Sequence, residues 1–139
     1  MKDVRNILLT GLVPALATAT GLNIYTRIPK AANVTYPYVY ISDIYQEEIG
    51  SKTEFVYQLD VLVQIVYQDV DSLTGLFGKM DNVLSIINNG VAPFALTSPY
   101  KIEECSLNSS TTTEFQTDTG TQNVGLIRIL FTIKPFILS

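Results

Sequence analysis

The chain has 139 residues, of which 47% are hydrophobic and 16% are charged, and its formal net charge is -4. This length predicts one domain spanning residues 1–139, large enough to bury a core without metal ions or disulfides. The excess of acidic residues, 13 against 9 basic ones, argues against a protein whose main task is to grip nucleic acid phosphates.

The first predicted element is a helix whose apolar positions fall roughly on one face: Val4, Ile7, Leu8, Leu12, Ala15 and Leu16. The segment resembles a secretory signal, but Asp3 lies in its basic region, and Gly11 and Pro14 interrupt its apolar run. Pro14 is expected to bend or shorten the helix. The apolar run is too short and too interrupted to predict a membrane span.

Three strands are predicted next. Residues 23–28 form a short one, and β-branched residues and tyrosines dominate the second, TYPYVYISDIY. A polar turn at residues 46–52 joins the second strand to a long third one, so a hairpin is expected. Every odd position from Phe55 to Tyr67 is apolar in this third strand, which is the period of a strand with one buried face.

A second helix is predicted directly after the long strand, because apolar residues then recur at steps of three and four: Leu73, Leu76, Phe77, Met80, Val83, Leu84 and Ile87. Asp69 or Asp71 is expected to begin this helix by accepting hydrogen bonds from the free amides of its first turn. Residues 88–90, Asn-Asn-Gly, are expected to end it.

The last part of the chain predicts two more strands. Residues 101–107 form one, and the alternating segment 124–137 forms the other, with Ile127, Ile129 and Phe131 on one face. The Ser- and Thr-rich block between them, NSSTTTEFQTDTGTQN, is expected to be a long solvated hairpin or a mobile loop. The order α, β, β, β, α, β, β predicts an α+β fold, with an antiparallel sheet of four to five strands and both helices packed on one face.

One tripeptide suggests catalysis. Asp118, Thr119 and Gly120 match the tripeptide that carries the catalytic carboxylate of aspartic proteases, where two such groups share a proton. Those enzymes have apolar residues before the tripeptide, whereas here Gln116 and Thr117 precede it. We therefore interpret the tripeptide as a turn, for which Asp and Gly are the expected residues.

No other segment predicts a catalytic residue, a metal site or a cofactor. Asp69 and Asp71 lack the further ligands of a calcium loop, and no glycine-rich loop that would cradle a phosphate is present in the sequence. Cys105 is the only cysteine, and there is no histidine to activate it. We expect Cys105 to be a structural thiol in a reducing compartment.

The apolar excess predicts a subunit interface. The even positions of the long strand carry more apolar residues than a solvated face requires, and tyrosines form a second stripe of period two. These two sets define the candidate interface: Tyr36, Tyr38, Tyr40, Val56, Leu62 and Val66. Packing within the sheet or under a loop is the alternative for any one of them. Together they are typical of a subunit contact, where Tyr is enriched and charge is depleted, so a homo-oligomer is expected.

The order, length and pattern of these elements resemble the tail-completion or tail-terminator proteins of long-tailed bacteriophages. The resemblance spans nearly the whole chain. It is carried by the strand opening Pro37-Tyr38-Val39, by Val63-Gln64-Ile65-Val66-Tyr67 at the end of the long strand, by a helix over residues 72–87 and by a terminal hairpin.

The resemblance implies a structural virion protein of the tail or neck, assembled in the host cytoplasm, and not an enzyme. Such proteins form rings, commonly hexameric, that cap the tail tube and join it to the head connector, so the tail tube protein and the connector or neck protein are the implied partners. DNA passes through the lumen without specific binding. The hairpins around residues 46–52 and 108–123 are available to reach neighbouring subunits or adjoining rings.

Two other classes remain open at this point. Other neck and tube components share this architecture. The resemblance therefore defines the class of virion protein better than its position along the virion. The main rival is a cytosolic α+β enzyme or ligand-binding domain with an unrecognised site. A dimeric aspartic protease built around Asp118 is the third possibility.

Overall fold

The computed structural model describes residues 3–30, 34–50, 55–87, 94–118 and 120–135. Its elements follow the predicted order: α1 (Arg5–Thr20), β1 (Ile24–Tyr25), β2 (Tyr38–Glu48), β3 (Tyr57–Gln68), α2 (Thr74–Leu84), β4 (Tyr100–Thr117) and β5 (Gly120–Pro135). The strands form one sheet in the order β1-β2-β3-β5-β4. The predicted α+β fold is confirmed, although the sheet is mixed because β1 pairs with β2 in parallel.

Both helices pack against one face of the sheet. In α1, Leu8, Leu12 and Leu16 recur every four residues and are completely buried, as expected for one helical face. They join a core cluster with the odd positions of β3, such as Val61 and Val63, and with the alternating isoleucines of β5. Burial of each such side chain contributes about 1.5 to 3 kcal/mol, so this face supplies most of the driving force for folding.

Pro14 does not shorten α1. The helix continues through it to Thr20, and Gly21 then donates a backbone hydrogen bond to the carbonyl of Ala17. Pro14 lies on the exposed side of the helix. Because the buried leucines lie before and after the proline, packing on both sides holds the helix together across the missing amide.

Phe55 is not part of the core, contrary to the odd-position pattern. β3 begins at Tyr57, which pairs with Ile133, and Phe55 lies before this ladder with half of its surface exposed. The other odd positions up to Ile65 are buried as predicted. The period of two therefore gave the correct face of the strand but placed its beginning two residues too early.

The predicted start of the second helix was wrong. Neither Asp69 nor Asp71 caps α2, which begins at Thr74. The Ser72 hydroxyl accepts a hydrogen bond from the Thr74 amide at 3.2 Å. Asp69 instead has a positive φ of 53°, and its carboxylate accepts a hydrogen bond from the Thr121 amide at the start of β5. The regular helix ends at Leu84, and the predicted end at residues 88–90 lies outside the described residues.

The Ser- and Thr-rich block forms a long hairpin, one of its two predicted structures. β4 extends to Thr117, and its ladder with β5 continues to the Thr117–Gly120 pair. Asp118 lies in the turn. Gly120 has a φ of 144°, and a Cβ at this position would clash with the carboxylate of Asp69, so both the backbone and the space require glycine.

A second glycine sets the distance between α2 and the sheet. Gly125 of β5 is buried, and a Cβ built on it would lie 2.7 Å from the sulfur and 2.9 Å from Cγ of Met80. Leu76 approaches the same point at 3.2 Å. The absence of a side chain at residue 125 therefore allows α2 to pack directly on β5.

We expect Gly125→Val to destabilise the protein by about 1 to 3 kcal/mol, because the added atoms overpack the contact with Met80 and Leu76. Urea unfolding measures this loss. The matched control is Gly78→Ala in α2, where an added Cβ meets nothing within 4 Å and should leave stability unchanged or higher. A Gly125→Val protein as stable as the wild type would contradict the close packing of α2 on β5.

Candidate interaction surface

The face of the sheet opposite the helices, here called the open face, carries the candidate interface. The ladder places Tyr40 beside Gln64 and Gln64 beside Leu126, while Leu62 lies beside Arg128. All of these side chains are partly buried rather than fully solvated. No helix among the described residues packs against this face, since both α1 and α2 belong to the core cluster on the other side.

One end of the open face is covered by residues of the same chain. Tyr38 and Val66 are 8% and 3% exposed and form a small second cluster with Val124. The ring of Tyr25 meets that of Tyr38 edge-on at 5.5 Å, and the ring of Tyr36 lies 5.4 Å from it. Burial raises the pKa of Tyr38. Within the tyrosine stripe, Tyr36 and Tyr38 therefore pack against each other, and Tyr25 packs against Tyr38, as aromatic side chains do when they have apolar neighbours.

The centre of the open face is polar. The carboxylate of Asp60 lies 3.4 Å from the Arg128 guanidinium and accepts a hydrogen bond from the Asn108 amide at 3.2 Å. Next to it, the Gln64 amide donates to the Ser42 hydroxyl at 2.8 Å. The side chains of Arg128 and Asp60 are 39% and 24% exposed. An ion pair this exposed contributes little to stability.

The six predicted interface residues separate into two groups. Tyr38 and Val66 are buried within the chain, whereas Tyr36, Tyr40, Val56 and Leu62 keep exposed surface. Tyr36 lies at the margin, where its hydroxyl accepts a hydrogen bond from the Gln122 amide. The part of the candidate interface that is available to a partner therefore consists of the second group.

Two apolar residues of this face were missed. Leu126 and Leu130 of β5 lie opposite Gln64 and Asp60 of β3 and are only partly buried. Their signal was present in the sequence, because the side of the last strand opposite its isoleucines contains leucines between its polar residues. With Leu62 they form a set across the two central strands, here called the apolar strip, in which Arg128 lies between Leu126 and Leu130 and beside Leu62.

The end of the β2–β3 hairpin is also apolar. Ile49 and Phe55 are each about half exposed, whereas Tyr45, which is also exposed, lies opposite Asp60 on the open face. The backbone amide of Ile49 donates to the carbonyl of Val56 at 2.9 Å, which holds the two sides of the hairpin together beyond the ladder. This hairpin end therefore presents large apolar side chains on a fixed backbone.

A groove of about 410 Å³ runs on the helix side, between α2 and β4. It is lined by Phe77, Met80, Asp81 and Leu84 of the helix and by Ser110, Thr111 and Thr112 of the strand. The helix covers β3 and β5 but not the edge strand, so Phe77 remains half exposed. Within the described ranges, no group of three or more potential metal ligands lies close together in this groove or elsewhere.

The acidic candidates have structural roles. Asp118 is exposed in the β4–β5 turn, as the interpretation of its tripeptide predicts. Asp69 holds the other side of this turn, because its carboxylate accepts the Thr121 amide at 2.9 Å and its own amide donates to the Thr121 carbonyl at 2.8 Å. Sequence reasoning assigned Asp69 to the helix because it could not place residue 121 beside it.

Cys105 is buried at 5% exposure in β4, beside Phe131 of β5. Burial in this apolar environment raises the pKa of its thiol to about 12. The thiol is therefore protonated and unreactive at neutral pH, which agrees with a structural role.

Within the part of the chain that the structure describes, no helix has the length and apolar character needed to span a membrane.

The same fold occurs in a known particle. The chain matches a chain in the solved structure of the virion of a native gene transfer agent (GTA) particle with a TM-score of 0.72, over 96% of this chain and 99% of that chain. The sequences are 11% identical, so the likeness shows the fold alone. No family model and no curated protein matches the sequence.

We expect Asp69→Ala to lower the free energy of unfolding by about 1 kcal/mol, because it removes the hydrogen bond to Thr121 and leaves alanine at a positive φ. Asp69→Asn should be nearer to the wild type, since asparagine tolerates this conformation and its oxygen can accept the same bond. Asp71→Ala is the control, as Asp71 is exposed nearby. Equal urea midpoints for all three variants would contradict the anchoring role of Asp69.

The thiol predicts a pH dependence. A pKa raised from 9.0 to about 12 in the folded protein means that the unfolded chain ionises Cys105 first. Its contribution to stability is therefore complete below pH 9 and is lost as the pH rises from 9 towards 12. We expect urea unfolding of the wild type to show a steeper loss of stability over this range than Cys105→Ala. Parallel pH profiles for the two proteins would exclude this linkage.

Proposed function

We propose that this chain is a structural component of a phage-like virion, where it forms a ring that terminates the tail tube and joins it to the head connector. The observation that carries the proposal is the shared fold with a chain of the GTA virion, which extends over almost the full length of both chains. Since a fold can serve unrelated functions, the surfaces of this chain must also suit ring assembly.

The open face and the hairpin end supply two different apolar surfaces for such a ring. A ring needs a heterologous contact, in which one surface of a subunit meets a different surface of the next. The strip of Leu62, Leu126 and Leu130 is one surface, and the β2–β3 hairpin end with Ile49 and Phe55 is the other. The hairpin end of one subunit packs on the apolar strip of its neighbour, and Tyr40 and Val56 extend the contact.

The charge of the chain suits a passage for DNA. A net charge of -4 repels phosphates, and Arg128 on the open face is already paired with Asp60. A lumen without a basic stripe lets DNA slide through without specific binding. In this proposal the ring is a homo-oligomer, with six subunits as in the proteins that the sequence resembles. Its partners are the tail tube protein below and the connector or neck protein above.

The proposal places the protein in the tail or neck of the virion and assigns no reaction to it. Asp118, which suggested catalysis, lies exposed in the β4–β5 turn, and Asp69, which was considered for a metal site, contacts Thr121. Tightly packed rings need rigid subunits with large faces, and a continuous sheet covered by helices on one side meets this need.

We expect the purified wild type to form rings, visible by negative-stain electron microscopy and by light scattering as a single large species. Leu62→Asp should abolish them, because it replaces an apolar side chain of the contact with a second carboxylate beside Asp43, and desolvating that carboxylate in the interface is costly. Phe77→Asp is the matched control: Phe77 is half exposed but lies on α2, on the other side of the sheet, so this variant should still assemble. Circular dichroism verifies that both variants are folded.

Two outcomes would contradict the proposal. One is a wild type that stays monomeric at all concentrations, both alone and mixed with purified tail tubes. The other is assembly of Leu62→Asp as efficient as that of the wild type, which would place the ring contact elsewhere.

A further inference from the structure

The outer edge of β4 is open. β4 is the last strand of the sheet, and among the described residues no strand pairs with its outer side. Its two register shifts both lie before Ser109, so the stretch from Ser109 to Thr117 follows β5 without a bulge. Every residue of this stretch except Thr113 is exposed. It therefore presents a straight row of backbone amides and carbonyls to a further strand.

This edge lacks the usual protection. Natural sheet edges are blunted by lysine, proline, bulges or a covering element. The sequence Ser-Ser-Thr-Thr-Thr-Glu-Phe-Gln-Thr contains no lysine or proline and one charge, Glu114. Its threonines favour extended backbone and pair well across strands. The composition therefore permits another strand to pair with this edge. Few apolar side chains of this chain hold β4 in place here.

The opposite edge of the sheet is protected. β1 covers β2 at Val39 and Tyr40, and the strand is then bulged between Ile41 and Asp43. The remainder carries Glu47 and Glu48. A strand of a second copy would therefore meet a bulge and several acidic side chains there, but from Ser109 to Thr117 it would meet no bulge and one acidic side chain, Glu114.

We propose that a second copy of this chain adds its own β4 to this edge in antiparallel register, so that Thr113 of one copy faces Thr113 of the other. This register places Glu114 opposite Thr112 and Phe115 opposite Thr111, so no like charges face each other. Parallel pairing in register would place the two copies of Glu114 side by side. Pairing with the β2 edge would bring Glu114 towards Asp43, Glu47 and Glu48. The distribution of charge therefore selects the antiparallel self-pairing.

The side chains also fit this symmetry. A two-fold axis perpendicular to the sheet keeps the faces of both copies together, so the helices of both lie on one side of a continuous sheet. Thr111, Thr113 and Phe115 lie on the open face, because they pair with Leu126, Val124 and Gln122. Phe115, which is half exposed, then packs over threonines of the second copy.

This contact is separate from the proposed ring. A two-fold contact closes on itself and cannot propagate around a ring of six. The contact joins either two subunits before assembly or two complete rings at their edges. It does not depend on whether the ring forms.

Cysteine cross-linking tests the register. Under mild oxidation, Thr113→Cys should give a disulfide-linked dimer on a non-reducing gel, because the two copies of residue 113 face each other. Ser109→Cys is the control: it lies on the same strand and face, but its counterpart is about eight residues away, or roughly 26 Å. A disulfide needs Cα atoms within about 7 Å. The native Cys105 is buried in both variants.

A second measurement does not depend on cross-linking. In sedimentation equilibrium the wild type should contain assemblies joined in pairs through this contact, Thr113→Val should retain the pairs, and Thr113→Lys should separate them severalfold more readily because two lysines then face each other. Equal cross-linking of Ser109→Cys and Thr113→Cys would overturn the proposed register. Identical sedimentation of the wild type and Thr113→Lys would overturn the contact itself. A dimer cross-linked at residue 113 without any rings would support this contact while the proposed ring fails.

Discussion

The burial of one face of β3 and β5 beneath two helices determines the rest of this structure. β3 is paired on both sides, and its odd positions meet the leucines of α1 and the apolar stripe of α2. Because successive side chains of a strand point to opposite faces, each buried position fixes the orientation of its neighbours. A shift of one residue would exchange the two faces, so the core also determines which residues the chain presents to the outside.

The packing of the core therefore also determines which side chains lie on the open face. Its residues could have been wholly polar, yet Leu62, Leu126 and Leu130 form an apolar strip between polar neighbours. Among the residues that the structure describes, the chain covers only the tyrosine end of this face. An incompletely covered sheet face that mixes leucines and a tyrosine with paired polar groups has the mixed character of protein–protein contact surfaces.

The sequence predicted those features that depend on periodicity. The buried face of β3, the apolar stripes of both helices and the order of elements follow from spacing alone. The errors arose where local chemistry competes with contacts distant in sequence. Asp69 matches a helix cap locally, but Thr121 lies beside it in the fold. Tyr38 and Val66 matched an exposed stripe, but Tyr25 and Val124 cover them. Leu126 and Leu130 were visible in the alternation of β5 and were overlooked beside its stronger isoleucine face.

The contact between Asp69 and Thr121 has a consequence for how this fold can change in length. It joins the end of β3 to the start of β5, so the point where the chain leaves β3 lies beside the point where it enters β5. The segment between these two points contains α2 and β4, and its two ends are held together. Closing a longer segment costs only slightly more entropy. The register of the two central strands is therefore independent of the length of the connector between α2 and β4, although Phe94 of that connector packs against Phe131 and must keep its place.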